Sequence, residues 1–269
     1  MGSRTARLAE FLETNGPVVR VEVTEALGST PRETGTWMLV SESGIFGTIG
    51  GGQLELMAIT RARELIGSGD RTGTMDVPLG PEIGQCCGGR VALSLAMLDD
   101  TGVQAIGTLV QQEEAALPQV HVFGAGHVGK ALSEALGRLP VHTFLVETRQ
   151  GELDSATDDV DKRLAAMPES LVADAAPGSA FVVLTHDHAL DFLIVREALR
   201  RTDAAYVGMI GSKTKRATYH SWHRDNGGDA ADYARLVCPI GGSAVADKRP
   251  QVIAALVAAE IMTALFAAD

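Results

Sequence analysis

Cysteine is scarce in this chain: three in 269 residues, two of them adjacent, which cannot form an extracellular disulfide framework. Positive charge is short as well. The 23 lysines and arginines face 34 acidic residues, and the net charge of −11 leaves no basic footprint for nucleic acid. An anionic ligand must then be held by a local arrangement, because the overall field repels it. No apolar run is a convincing membrane span, since the richest, residues 252–268, is largely alanine and is broken by Glu260. Arg4, Arg7 and Glu10 interrupt any apolar core of a signal peptide. Internal repeats and low-complexity tracts are lacking. These absences set the expectation of a soluble, cytoplasmic protein in a reducing compartment, and a hydrophobic content of 45% supports a globular chain.

What the chain does carry is clearest at residues 120–129, Val-His-Val-Phe-Gly-Ala-Gly-His-Val-Gly. An apolar run of strand type meets Gly124-x-Gly126-x-x-Gly129, and a helical pattern follows over 130–139. The glycine pattern has meaning only in that strand-to-helix setting. Gly124 permits a tight turn, Gly126 lets backbone approach a ligand, and Gly129 lets helix pack on strand. From His127 onward the helix start offers free N–H groups to a phosphate. A second apolar strand over 141–146 leads to Glu147, placed to bind a ribose hydroxyl of NAD(P) or another nucleotide. The alternative is an ordinary α/β turn with no ligand.

Upstream, apolar spacing predicts helices over 5–13 and 53–66 and strands over 18–26, 37–40, 74–79 and 91–98. Residues 99–102 read as a turn, and a short helical stretch leads to Pro118. Downstream, 151–161 reads as an acidic loop and 161–166 as a short helix. Strands follow at 181–184, at 204–209 and up to Val237, with helices over 191–200, from Lys213 and from Pro250. The fold class is α/β: a C-terminal Rossmann-like doubly wound parallel sheet over 118–269, with a smaller N-terminal α+β domain over 1–110. Ligands of such sheets sit beyond the strand carboxyl ends. The glycine turn, the corner Thr185-His186-Asp187-His188, Gly211-Ser212-Lys213 and Pro239-Ile240-Gly241 therefore belong on one rim.

Several residue groups carry candidate chemistry. Gly50-Gly51-Gly52 feeds a helix and is a second place where amides can face an anion, or simply a flexible hairpin. Gln85-Cys86-Cys87-Gly88-Gly89-Arg90 sets two thiols among glycines, where one is either a soft ligand or sulfur carrier, or both are small buried hydrophobes. Cys238 reads as structural. His186 and His188 fit general acid–base work or metal binding with partners such as Asp191 or His127. In the plainer reading Asp187 caps a helix and the histidines are loop residues. Lys213, Lys215 and Arg216 read as a solvated first turn.

Taken with Gly28-Ser29-Thr30-Pro31-Arg32, Gly47-Thr48-Ile49-Gly50-Gly51-Gly52, Thr185-His186-Asp187-His188 and Gly208-Met209-Ile210-Gly211-Ser212-Lys213, these motifs resemble the XdhC/CoxI family of xanthine dehydrogenase accessory factors. The resemblance runs from about Val18 onward. It implies a homodimeric protein that binds molybdenum cofactor and delivers its sulfurated form to an apo molybdenum hydroxylase of the xanthine dehydrogenase type. It also implies partnership with a cysteine desulfurase, with Gln85, Cys86 and Cys87 at the cofactor and Cys86 as the candidate molybdenum contact. Two stretches depart from the family pattern: residues 242–250, and Glu147, where aspartate is commoner. Molybdenum cofactor is a phosphorylated pterin dithiolene, and the two glycine-rich helix entrances suit its phosphate, with the pterin expected between the domains. The rival expectations are an NAD(P)-dependent oxidoreductase using His186 or His188, and a nucleotide-sensing Rossmann module.

Overall fold

The structure, a computed structural model, describes residues 3–80 and 88–267. The chain divides into two compact units, Gly2–Glu114 and Ala115–Asp269.

The first unit is built on an antiparallel sheet with strand order β3-β2-β1-β5-β4. Its strands are β1 (Val19–Leu27), β2 (Trp37–Val40), β3 (Ile45–Gly47), β4 (Thr72–Pro78) and β5 (Arg90–Met97). Alternation decides its two faces. Val19, Val21 and Val23 of β1 turn toward α2 (Gly52–Ser68), which answers with buried Leu54, Ala58, Ala62 and Leu65 at helical spacing. Trp37 and Leu39 turn the other way, into a cluster with Leu8 of α1 (Arg4–Thr14) and Ile106 and Val110 of α3 (Asp100–Ala115). Each of the larger of these side chains contributes roughly 1.5–3 kcal/mol by leaving water. Caps set the helix limits: Ser3 Oγ accepts the Ala6 N–H at 3.1 Å, and Gly69, at φ +78°, closes α2 on Leu65 O at 3.0 Å.

The second unit holds a six-stranded parallel sheet in the order β11-β10-β9-β6-β7-β8. The strands are β6 (Gln119–Phe123), β7 (His142–Glu147), β8 (Asp161–Leu164), β9 (Ala180–Val183), β10 (Tyr206–Met209) and β11 (Leu236–Val237). This is the doubly wound arrangement, with the order reversing between β6 and β9. Val120, Val122, Leu145 and Val182 face α4 (His127–Leu136) and α9 (Pro250–Phe266). The alternate residues, Phe123, Phe144, Val146, Phe181 and Val183, face α6 (His188–Arg200) and α7 (Lys213–Asp225). Both faces are covered, so the inner strands are mostly apolar, with His121 and Thr143 as buried polar exceptions within them. Glu260, the charge inside the apolar last helix, accepts from Tyr206 Oη at 2.7 Å and from the Gly241 amide at 3.1 Å.

Three local expectations fail. Residues 161–164 are an edge strand, not a helix: β8 pairs with β7 from Phe144↔Asp161 to Glu147↔Leu164. Its charged residues need only one paired side, and the Arg163 guanidinium lies 4.0 Å from the Phe144 ring centre. The acidic loop contains the short helix α5 (Gln150–Asp154). Residues 99–102 begin a long helix rather than a turn, because Asp99 accepts the Gly102 N–H at 2.8 Å and starts α3.

Candidate functional site

The glycine turn has the geometry its spacing implies. Gly124 lies at φ +114°, and a Cβ there would come within 2.5 Å of Leu184 O at the end of β9. A Cβ on Gly129 would stand 1.9 Å from Gly124 O, so helix and turn meet only through glycine. Gly126 is different. It is the N-cap of α4, and a Cβ on it would meet nothing within 4 Å. Open space therefore lies before the helix start, where His127 is exposed and first-turn N–H groups lack helical acceptors. A phosphate fits that cradle.

Glu147 closes the turn from the side. Although it is only 4% exposed, its carboxylate gathers six hydrogen bonds. Oε2 accepts from the Ala125 amide at 2.9 Å and from Arg149 Nη2 at 3.1 Å. Oε1 accepts from Thr148 N at 2.8 Å and Oγ1 at 3.1 Å, and from Arg149 N at 3.2 Å and Nε at 3.1 Å. Burial pushes the carboxyl up, but these donors, Arg149 foremost, more than offset it and hold it near 2. A ribose hydroxyl would have to displace Arg149. The neighbouring cation, Lys130, is taken by Glu152 at 2.6 Å. Attraction for an anion at this turn thus comes from backbone rather than side-chain charge.

The corner after β9 abuts this turn, as the near approach of Gly124 to Leu184 requires. Asp187 caps α6, accepting from Ala189 N at 2.8 Å, while His186 and His188 are exposed. The chemically unusual residue is Asp191. It is fully buried, accepts from the Thr185 amide at 2.9 Å and hydroxyl at 2.7 Å, and forms an ion pair with Lys215 of α7. Lys215 is not solvated, then, and Asp191 is committed to Thr185 and Lys215. An acid inside the apolar stripe Phe192, Ile194 and Val195 was the available signal for that pair. Arg149, two residues beyond a strand-terminal acid, was equally readable and was missed. Cys238 is buried as expected, and burial pushes its thiol up.

In the first unit the motif residues gather at one end of the strands, past the close of β1 and before the start of β5. Gly50 packs on the 28–32 loop, where a Cβ would lie 2.8 Å from Pro31 Cβ. Gly88 bridges to Ser29, and Gly89 passes so close that a Cβ would stand 2.4 Å from Ser29 O. Leu79 exchanges backbone bonds with Gly88 and Gly89, Leu79 N to Gly89 O at 2.7 Å and Gly88 N to Leu79 O at 2.8 Å. Gln85, Cys86 and Cys87 lie outside the described residues. The triple glycine already holds an anion, its own: Glu55 Oε2 accepts the amides of Ile49 at 3.1 Å and Gly51 at 3.2 Å. Among the described residues no cluster of three or more His, Cys, Asp or Glu is arranged to hold a metal, and no helix is long and apolar enough to cross a membrane.

Comparison with known proteins now decides the family. The model of the XdhC Rossmann domain matches residues 120–261, just over half the chain, and that of the XdhC and CoxI family matches residues 11–77. The chain belongs to the XdhC family. It is 25% identical over 266 residues to YqeB, an uncharacterized protein of Escherichia coli strain K12, covering 94% of this chain but only 44% of that protein. It also shares its fold with a Bacillus halodurans protein described as a xanthine dehydrogenase, at a TM-score of 0.79 and 16% identity, over 97% of this chain and 95% of the other.

Proposed function

We propose that this XdhC-family chain binds molybdenum cofactor and delivers its sulfurated form to a molybdenum hydroxylase of the xanthine dehydrogenase type, as a carrier rather than a catalyst. The observation that carries the reading is the match of both family models, in order, to one chain. The open cradle before Gly126 and His127 supports it, since the cofactor's phosphate needs amides more than side-chain charge. So does the saturation of Glu147, which leaves a nucleotide ribose nothing free to bind. Gly124 and Gly129 shape the turn, and Gly126 and His127 hold the phosphate. Cys86 or Cys87 approaches the metal, with Gln85 beside them, and Gly50, Gly51 and Gly52 form the second entrance. His186, Asp187 and His188 flank the cradle. The cofactor when bound supplies a dithiolene-held molybdenum that carries a terminal sulfide. A cysteine desulfurase as sulfur source and a homodimeric state belong to the same proposal.

The strand order, with an acid at the end of the second strand, favours one other reading: a dinucleotide at the same turn, turned over or merely sensed. Metal and pterin analysis of protein co-expressed with a molybdenum cofactor pathway separates the two. Stoichiometric molybdopterin, sharply reduced in the Cys86→Ala/Cys87→Ala double variant, is expected. Tight NAD(P)H with no molybdenum, or molybdenum retention unchanged in the double variant, would overturn the role given to the thiols.

A further inference from the structure

Farther along the carboxyl edge of the parallel sheet, beside β10 and β11, lies a groove of about 580 Å³ that the family reading leaves unassigned. Its charged and aromatic wall is Lys213, Arg216 and His220 of α7 with Tyr233 of α8 (Ala230–Ala234), and Val237 and Pro239 are among its apolar lining. No acidic residue lines it, although the chain carries eleven net negative charges. Nearly every other cation near the rim is spoken for: Lys130 by Glu152, Arg149 by Glu147 and Lys215 by Asp191. Arg216 instead gives Nε to Tyr233 Oη at 3.1 Å and Nη1 to Cys238 O at 3.3 Å. Both acceptors are neutral, so the guanidinium is held in place with its charge uncompensated and Nη2 free of either bond. Its carbon lies 5.4 Å from the Tyr233 ring centre, and the His220 ring is 4.4 Å from that ring on the same wall. Neither Arg216 nor Lys213 has a carboxylate partner among the described residues.

A held, half-buried guanidinium without a counter-ion is costly unless an anion arrives. We propose that this groove is a second anion site, separate from the glycine turn, which takes a phosphorylated small molecule. Its phosphate meets Lys213, Arg216 and His220, and its uncharged body lies along Val237 and Pro239. The volume suits a small-molecule ligand rather than a bare ion. The site lies two to three strands from β6, roughly 10–15 Å along the edge at the usual strand spacing. A phosphate bound here is therefore not the one in the α4 cradle.

Titration of the full chain with sodium pyrophosphate, followed by backbone amide NMR, tests this. Saturable shifts are expected at residues 213–217 and at Gly242 and Ser243. Lys213→Glu, at an exposed position, should leave the fold intact and weaken those shifts by about tenfold or more, the loss of one charge-assisted contact. Gly126→Asp, which places a carboxylate in the α4 cradle, should leave them unchanged. Arg216→Lys, which keeps the charge but not the fork, should fall between wild type and Lys213→Glu. No saturable shift at these residues up to millimolar pyrophosphate, or shifts that vanish with Gly126→Asp and survive Lys213→Glu, would overturn the proposal.

Discussion

The carboxylate of Glu147 meets the amide of Ala125 at 2.9 Å and so ties the end of the second parallel strand to the middle of the glycine turn. An internal anion thus shapes the backbone that presents its remaining amides to a ligand. The acid at this place in the fold serves the turn first and a ribose only if Arg149 leaves.

Glu147 should accordingly show in acid unfolding. Its carboxyl is held near 2 in the fold against 4.5 ordinarily, so the unfolded chain binds the proton first as pH falls. The stabilisation is complete above about pH 4.5 and is lost as pH drops toward 2, on the order of 3 kcal/mol in all. Glu147→Gln keeps the shape but sets an amide donor among donors, and should cost a similar amount at pH 7. Urea midpoints between pH 2 and 7 check both. A midpoint in the variant equal to wild type at pH 7 would count against the tie.

His121 gives a second acid window. It is 2% exposed, stacked 4.8 Å from Phe144 and 5.4 Å from Phe181, with Nδ1 unbonded. Burial, with Arg163 and Arg201 nearby, pushes its pKa from 6.5 to about 4. The unfolded chain therefore takes up this proton at higher pH, and stability falls between about pH 6.5 and 4, again by roughly 3 kcal/mol. His121→Phe should be near neutral or stabilising at pH 7 and should flatten that window. The readout is the slope of unfolding free energy against pH.

The Asp191–Lys215 pair predicts asymmetric mutants. Asp191→Leu strands a buried ammonium and the Thr185 amide, and should cost about 3–5 kcal/mol. Adding Lys215→Met removes the unpaired charge, so the double variant should be more stable than the single one. Thermal melts of the four-member cycle measure the coupling. Simple additivity would mean that the pair is not formed.

Much of this was legible because period and punctuation agreed: the strand before Gly124, the helix after it, and Glu147 closing the next strand all stand where the pattern puts them. What escaped depended on partners distant in sequence. The segment Asp161-Lys162-Arg163-Leu164 has a helix former's composition, and only the vacant edge of β7 makes it a strand. His186 and His188 drew attention by residue type, yet Asp187 caps a helix between them and the buried chemistry lies at Asp191. Lys213, Lys215 and Arg216 look alike on paper. The fold separates them into a solvated lysine, an ion-paired one and a guanidinium bound only to neutral acceptors. Gly50 and Gly51 promised an anion cradle, and the helix's own Glu55 occupies part of it.

Gly126 and Gly129 separate binding from folding. A methyl group on Gly129 would overlap Gly124 O, at 1.9 Å, and backbone cannot swing aside as a side chain can. Gly129→Ala should cost about 3 kcal/mol or more and lower the melting temperature accordingly. A methyl group on Gly126 meets no protein atom within 4 Å, and the glycine's φ of −70° suits alanine, so stability should stay within about 0.5 kcal/mol. The methyl nonetheless projects into the space before α4, where a phosphate would approach the amides. Gly126→Ala should therefore melt like wild type while retaining several-fold less molybdopterin after co-expression with the cofactor pathway. Full retention by Gly126→Ala would place the phosphate elsewhere and leave this turn a structural element of the Rossmann unit.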